Sequence, residues 1–152
     1  SPAARARATA ALIDGGPWTE DAAWAERNFG EWEGRRWDAC WADVPAAALD
    51  SAEAYLGFDP PGAERYDAVA SRVSGALDAL AAGRHLIITH AGPIRAALSA
   101  ACAWGPDQVF SATIGHGGVV VLNHGQDGWT SRIGLPGTDD REERPNPAKG
   151  PT

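Results

Sequence analysis

Methionine is absent from these 152 residues, lysine occurs once, and there are only two cysteines. The missing methionine leaves two expectations open: an initiator removed ahead of Ser1, or a sequence that starts partway into a longer chain. Cys40 and Cys102 lie far apart and match no paired-thiol or zinc spacing, which argues against a disulfide framework and points to a reducing compartment. No apolar run approaches membrane-spanning length, and nothing at the amino end has the order of a signal peptide, so the cytoplasm is the expected location. Positive charge is also short. A formal net charge of -7 argues against a general nucleic-acid binder, because phosphate backbones demand a net or clustered positive surface.

What basic charge there is comes almost wholly from arginine, with twelve Arg against one Lys. An arginine fork holds phosphate or carboxylate bidentately, so a local anion site can exist inside an acidic protein. Compositional bias toward Ala, Gly and Arg is the alternative account of the same count. With 44% apolar and 22% charged residues, the chain has enough material for one domain with a real core. Residues 1–136 are expected to form it, and the polar, Pro-rich stretch 137–152 to be a disordered or loosely attached tail.

Along the chain, Ser1-Pro2 followed by Ala3 to Ile13 predicts a capped, Ala-rich helix with Arg5 in its first turn. Trp18 to Gly34 is irregular and aromatic. Residues 35–43 and 46–56 predict short helices interrupted by Pro45, in which Trp37 and Trp41 are read as packing rather than ligand-stacking residues. The strongest helical period covers Glu64 to Ala82, where Tyr66, Val69, Val73, Leu77 and Leu80 share a face, with Gly83 as its cap. Val119 to Leu122 and Trp129 to Ile133 flank a turn and predict a hairpin.

The stretch from His85 to Arg95 carries the strongest hint of chemistry. Leu86 to Ile88 is β-branched-rich and short, so it predicts a strand covered on both faces, with His90 at its carboxyl end. Gly92 allows a tight turn and Pro93 suits a first helical position, ahead of Ile94, Ala97, Leu98 and Ala101 on one helical face. Strand-to-helix turns of this kind collect anions in open α/β sheets. A core histidine beside an ordinary turn is the plainer alternative.

Four segments carry a family resemblance. Ser1-Pro2-Ala3-Ala4-Arg5-Ala6-Arg7-Ala8-Thr9-Ala10, Glu26-Arg27-Asn28-Phe29-Gly30-Glu31-Trp32-Glu33-Gly34, Pro61-Gly62-Ala63-Glu64 with Arg72, and Thr89-His90-Ala91-Gly92-Pro93-Ile94-Arg95 occur in that order. Together they resemble the histidine phosphatase superfamily, also called phosphoglycerate mutase-like. The resemblance implies an α/β fold, a three-layer α/β/α sandwich around a mostly parallel central sheet, and metal-free phosphoryl transfer through a phosphohistidine with no cofactor. It assigns Arg5 to the phosphoryl group as a fork, His90 as a donor to a phosphoryl oxygen, and Glu26 as general acid and then base. Ala91 would add a backbone N–H at the helix start. His116, in Gly115-His116-Gly117-Gly118, is expected to start a late strand and is a further pocket candidate, the alternative being a turn histidine. Glu31, Glu33 and Glu64 are read as structural.

The family's nucleophile lies in an Arg-His-Gly stretch after a first strand, and the present sequence contains neither. His85 cannot replace it, since five extended residues place it about 16 Å from His90. A segment ahead of Ser1 is the favoured explanation, because a central strand is seldom dispensable; a strand from another chain and a degenerate member are the others. The resulting expectation is a phosphomonoesterase acting on a small phosphate ester, closest to alpha-ribazole phosphatases of cobalamin biosynthesis. A catalytically degenerate phosphate-binding module and a phosphoglycerate mutase are the alternatives. No nucleic acid or membrane partner is expected, and a homodimer would be signalled by exposed tryptophan among Trp37, Trp41 and Trp104.

Overall fold

In the computed structural model, residues 1–13 and 16–134 are described. Helix α1 spans Ala4–Ile13, α2 Trp37–Ala42, α3 Ala52–Leu56, α4 Tyr66–Asp78, α5 Ala91–Cys102 and α6 Pro106–Ser111. Strands β1 (Val119–Gly125) and β2 (Gly128–Gly134) follow, and single 3-10 turns occur at Ala22–Trp24, Gly30–Trp32 and Ala46–Leu49. The tail expected over 137–152 lies outside the described residues. No described helix is long and apolar enough to cross a membrane.

The core is built on α4 and α5. Val69, Val73 and Leu77 recur every fourth residue on α4 and are buried against Ala96 and Ala97 of α5, with Trp24 closing one end. The small alanines let the two helices approach closely. Ile87 and Leu122 pack onto the margin of this cluster from the segment before α5 and from β1. A second cluster, Trp32, Cys40, Val44 and Ala48, lies under the aromatic segment with Phe29, Tyr55 and Phe58 around it. Trp37 and Trp41 belong to neither core. Trp37 meets Phe29 edge-on at 5.3 Å and Trp41 stacks on Tyr55 at 5.2 Å, yet both keep about half their surface in water.

Several boundaries differ from the sequence expectation: the helix expected over 35–43 is the shorter α2, and the one expected over 46–56 is divided into the 3-10 turn at Ala46–Leu49 and α3, which the Ser51 side chain caps. The helix expected over 64–82 is α4, and it begins two residues late because Glu64 is engaged elsewhere: its N–H donates to Asn28 O and its own carbonyl accepts from Arg27 Nε. It ends at Ala79, which caps it in place of Gly83. Helix α5 starts at Ala91, two residues before Pro93, which still sits in the first turn where its missing N–H is not needed.

The larger correction concerns the sheet. The hairpin forms as expected, antiparallel, with Val120 opposite Ile133 and Gly125 opposite Gly128. It is the one sheet among the described residues, so a mostly parallel central sheet is not present there. Leu86 to Ile88, expected as a buried strand, belongs to no ladder, and Leu86 is 57% exposed. The physical reason is the lack of a neighbour. A strand is defined by its partner's hydrogen bonds, and this segment instead lines an open cleft together with β1, with Ser1 N donating to Ile88 O at 3.0 Å.

Candidate active site

The cleft has a volume of about 2280 Å³, and Arg5, Glu26, His90, Ala91 and His116 all line it. A smaller cavity of about 270 Å³ shares none of these residues. The site is therefore built where α1, the segment leading to α5, and the irregular segment around Glu26 converge.

Glu26 lies on chain without regular structure, so side chains must fix it. The preceding 3-10 turn is capped by Asp21, whose carboxylate accepts from Ala23 N at 2.8 Å, and is anchored by buried Trp24. Thr89 Oγ1 donates to Trp24 O at 2.7 Å and Arg72 Nη1 donates to Ala23 O at 2.6 Å. Arg72 is itself held as a fork on Glu64, with Nε to Oε1 at 2.8 Å and Nη2 to Oε2 at 3.0 Å. On the far side Arg27 donates from Nε to Glu64 O at 2.8 Å and from Nη2 to Phe58 O at 3.3 Å, and pairs with the Asp59 carboxylate. Glu26 is thus gripped from both flanks, by residues on α4 and on the loop before it.

The Glu26 carboxylate accepts from Arg27 N at 3.0 Å and from the Gly92 N–H in the first turn of α5. Burial pushes its pKa above the ordinary carboxylate range, outweighing those two backbone donors and the positive charges of Arg5 and Arg95. The group is consequently disposed to hold a proton, as an acid in proton transfer must.

His90 is the N-cap residue of α5, with extended backbone and no side-chain cap bond. Its tautomer follows from its neighbours. Arg5 Nε, which can only donate, lies 3.2 Å from His90 Nδ1, so Nδ1 is the unprotonated nitrogen. Nε2 then carries the proton and donates to Ser1 Oγ at 2.9 Å. Burial, followed by the positive charge of Arg5, lowers the His90 pKa and favours this neutral form. Arg5 stands at the second position of α1, and its Nη groups make no hydrogen bond with the described residues. An anion in the cleft would therefore meet an open guanidinium fork and the Ala91 N–H at the start of α5, and would reach the imidazole Nε2–H by taking the place of Ser1 Oγ.

The other histidines are placed differently. His116 is exposed in a turn before β1, so it does not start the strand, although it lines the same cleft. His85 Nε2 lies 2.8 Å from Ala81 O, away from His90 along the segment. His124 packs on Trp129 in the hairpin at 4.7 Å. None of these three is hydrogen-bonded to Arg5 or Glu26, and the lone pair of His90 is taken by Arg5. No group of three or more His, Cys, Asp or Glu side chains among the described residues is placed to hold a metal ion.

Arg27, Asp59 and Thr89 were not singled out as site residues from sequence, and the role of Gly92 was read only as a turn. Arg27 and Thr89 sit inside motifs already noted, which was the available signal. Asp59, in a Pro-rich breaker, gave none. Glu64 acts as the structural residue expected of it.

No curated protein matches the chain. The model of the histidine phosphatase superfamily (branch 1) does match it, over residues 1–133. That span takes in all four motif segments and every residue that lines the cleft, and the chain belongs to the histidine phosphatase superfamily.

Proposed function

We propose that the protein is a phosphomonoesterase acting on a small phosphorylated metabolite. Membership of the superfamily supports phosphatase or mutase chemistry in general. The observation that carries the finer reading is the contact between Arg5 Nε and His90 Nδ1, which turns His90 into an Nε2–H donor beside an open arginine fork. An arginine fork beside an imidazole donor that Ser1 Oγ now occupies suits the equatorial oxygens of a phosphoryl group, whose charge grows in transfer.

In this reading an imidazole nitrogen forms a bond to phosphorus as the ester P–O bond breaks, and Glu26 gives its proton to the departing alkoxide. Water then attacks phosphorus and gives a proton to the Glu26 carboxylate, as the P–N bond breaks with its electron pair returning to the imidazole, releasing phosphate. Arg5 and His90 hold the oxygens throughout. The attacking imidazole is not His90, since Arg5 occupies its lone pair. The chemistry requires a second histidine at the phosphorus, the role that the family resemblance gives to the histidine of an Arg-His-Gly motif.

Alpha-ribazole phosphate is the first substrate to try, with 3-phosphoglycerate and an aryl phosphate beside it. Phosphate release from alpha-ribazole phosphate by the full-length protein supports the reading, and so does acid-labile label on histidine after rapid quenching. Among the described residues no histidine other than His90 is hydrogen-bonded to Arg5 or Glu26, which favours a second reading, a phosphate-binding module of the same fold. Calorimetry showing tight binding of an ester that the full-length protein never hydrolyses would establish that alternative.

A further inference from the structure

We propose that Gly92 is a positioning residue for Glu26: a bare Cα in the first turn of α5 lets the carboxylate lie against the helix end. The inference rests on the reading of Glu26 as the proton-transfer group.

Backbone conformation does not explain the glycine. Gly92 has an ordinary helical φ, unlike Gly30 or Gly34, whose φ values are positive. Helix propensity would prefer alanine at this position. Space explains it. A Cβ built on Gly92 would overlap Glu26 Oε1 and stand 3.4 Å from Cδ and 3.9 Å from Oε2, its three nearest atoms. The closest obstacle is thus a carboxylate at the end of a flexible side chain. Adding a methyl group would leave the helix intact and push Glu26 away, since the rest of the Glu26 segment is fixed by Thr89, Arg72 and Arg27.

The consequence is chemical. In its present place Glu26 takes the Gly92 N–H, lies under the influence of Arg5 from α1 and Arg95 from α5, and is half-buried. His90, the N-cap of the same helix, is two residues earlier. Gly92 therefore allows the acid and the anion-binding groups to share one helix end. Displacing the carboxylate moves the proton donor away from the leaving oxygen and returns it toward water, so its titration should fall toward ordinary carboxylate values.

The test compares Gly92→Ala with the unmodified full-length protein, using carbon-13 NMR of labelled glutamate to follow Glu26, circular dichroism on heating, and phosphate release from alpha-ribazole phosphate. The expected result is an unchanged or higher melting temperature, Glu26 titrating at lower pH, and a loss of kcat of tenfold or more with KM little changed. Introduced into a Glu26→Ala background, Gly92→Ala should cause no further loss of kcat or of melting temperature. Unchanged Glu26 titration overturns the proposal, as does an equal loss in the Glu26→Ala background. A shifted titration in a protein that hydrolyses no ester would support the positioning role while overturning the proposed function.

Discussion

Replacing Arg27 with alanine removes the most heavily bonded side chain that ties the Glu26 segment to the loop before α4. Its guanidinium is only 10% exposed and serves three acceptors: the Asp59 carboxylate, Glu64 O and Phe58 O. Breaking a buried pair by deleting one partner costs about 3–5 kcal/mol, because the remaining charge is stranded. Asp59 is 26% exposed and can draw in water, which places this pair near the lower end. Two carbonyls left without their donor add about 1 kcal/mol between them, since each regains some hydration. The sum is about 4 kcal/mol, a large fraction of the total stability of an ordinary domain. At about 2–4 °C per kcal/mol for a chain of this size, the melting temperature should fall by about 8–16 °C. Urea unfolding followed by tryptophan fluorescence gives the free energy directly. Arg27→Lys should recover little of it, because one ammonium cannot reproduce a fork that meets a carboxylate and two carbonyls. A loss below about 1 kcal/mol for Arg27→Ala would refute the reasoning.

Other consequences are equally open to measurement. Gly30 has φ +58, and a Cβ there would overlap the backbone of Pro61, Gly62 and Ala63, which cannot swing aside; Gly30→Ala should cost about 2 kcal/mol or more in urea unfolding. The His90 pKa is lowered in the folded state, so the folded protein binds fewer protons there than the unfolded chain. That stability is present above the unfolded histidine value of about 6.5 and is lost as pH falls below it toward the folded pKa. Denaturation curves between pH 8 and 5 should show this slope, and His90→Gln should flatten it. Burial raises the Glu26 pKa, so its contribution has the opposite sign, fading as pH rises from the ordinary carboxylate range through the folded value. Arg5 is exposed, and Arg5→Ala should leave stability within about 0.5 kcal/mol. The same change should weaken inorganic phosphate binding about tenfold to a hundredfold by calorimetry, the worth of one charged hydrogen bond.

Periodicity revealed the elements whose burial is local. The faces of α4 and α5, the short helices around Pro45 and the hairpin all follow from spacing, and the buried positions Val69, Val73, Ala97 and Leu98 are those the pattern marks. What spacing cannot carry is a demand made from far along the chain. Glu64 fits the helical period, yet it is drawn out of α4 because Asn28 and Arg27 use its backbone and Arg72 uses its carboxylate. Leu86 to Ile88 has strand composition, but composition does not supply a partner to pair with. Motif resemblance brought Arg5, Glu26 and His90 forward, and the structure sets them on one cleft. The tautomer of His90 and the reason for Gly92 needed coordinates, since each depends on an atom contributed by a distant segment.

The central claim is that Glu26 supplies the proton to a leaving alkoxide held in the cleft by Arg5 and His90. Its most direct test is the effect of Glu26→Gln on two esters of the full-length protein, an alkyl phosphate whose alcohol needs a proton to leave and a nitrophenyl phosphate whose phenolate does not. The account predicts a loss of kcat of about 10²–10⁴ on the alkyl ester and a far smaller loss on the aryl ester. Equal losses on both, or none on either, would contradict it.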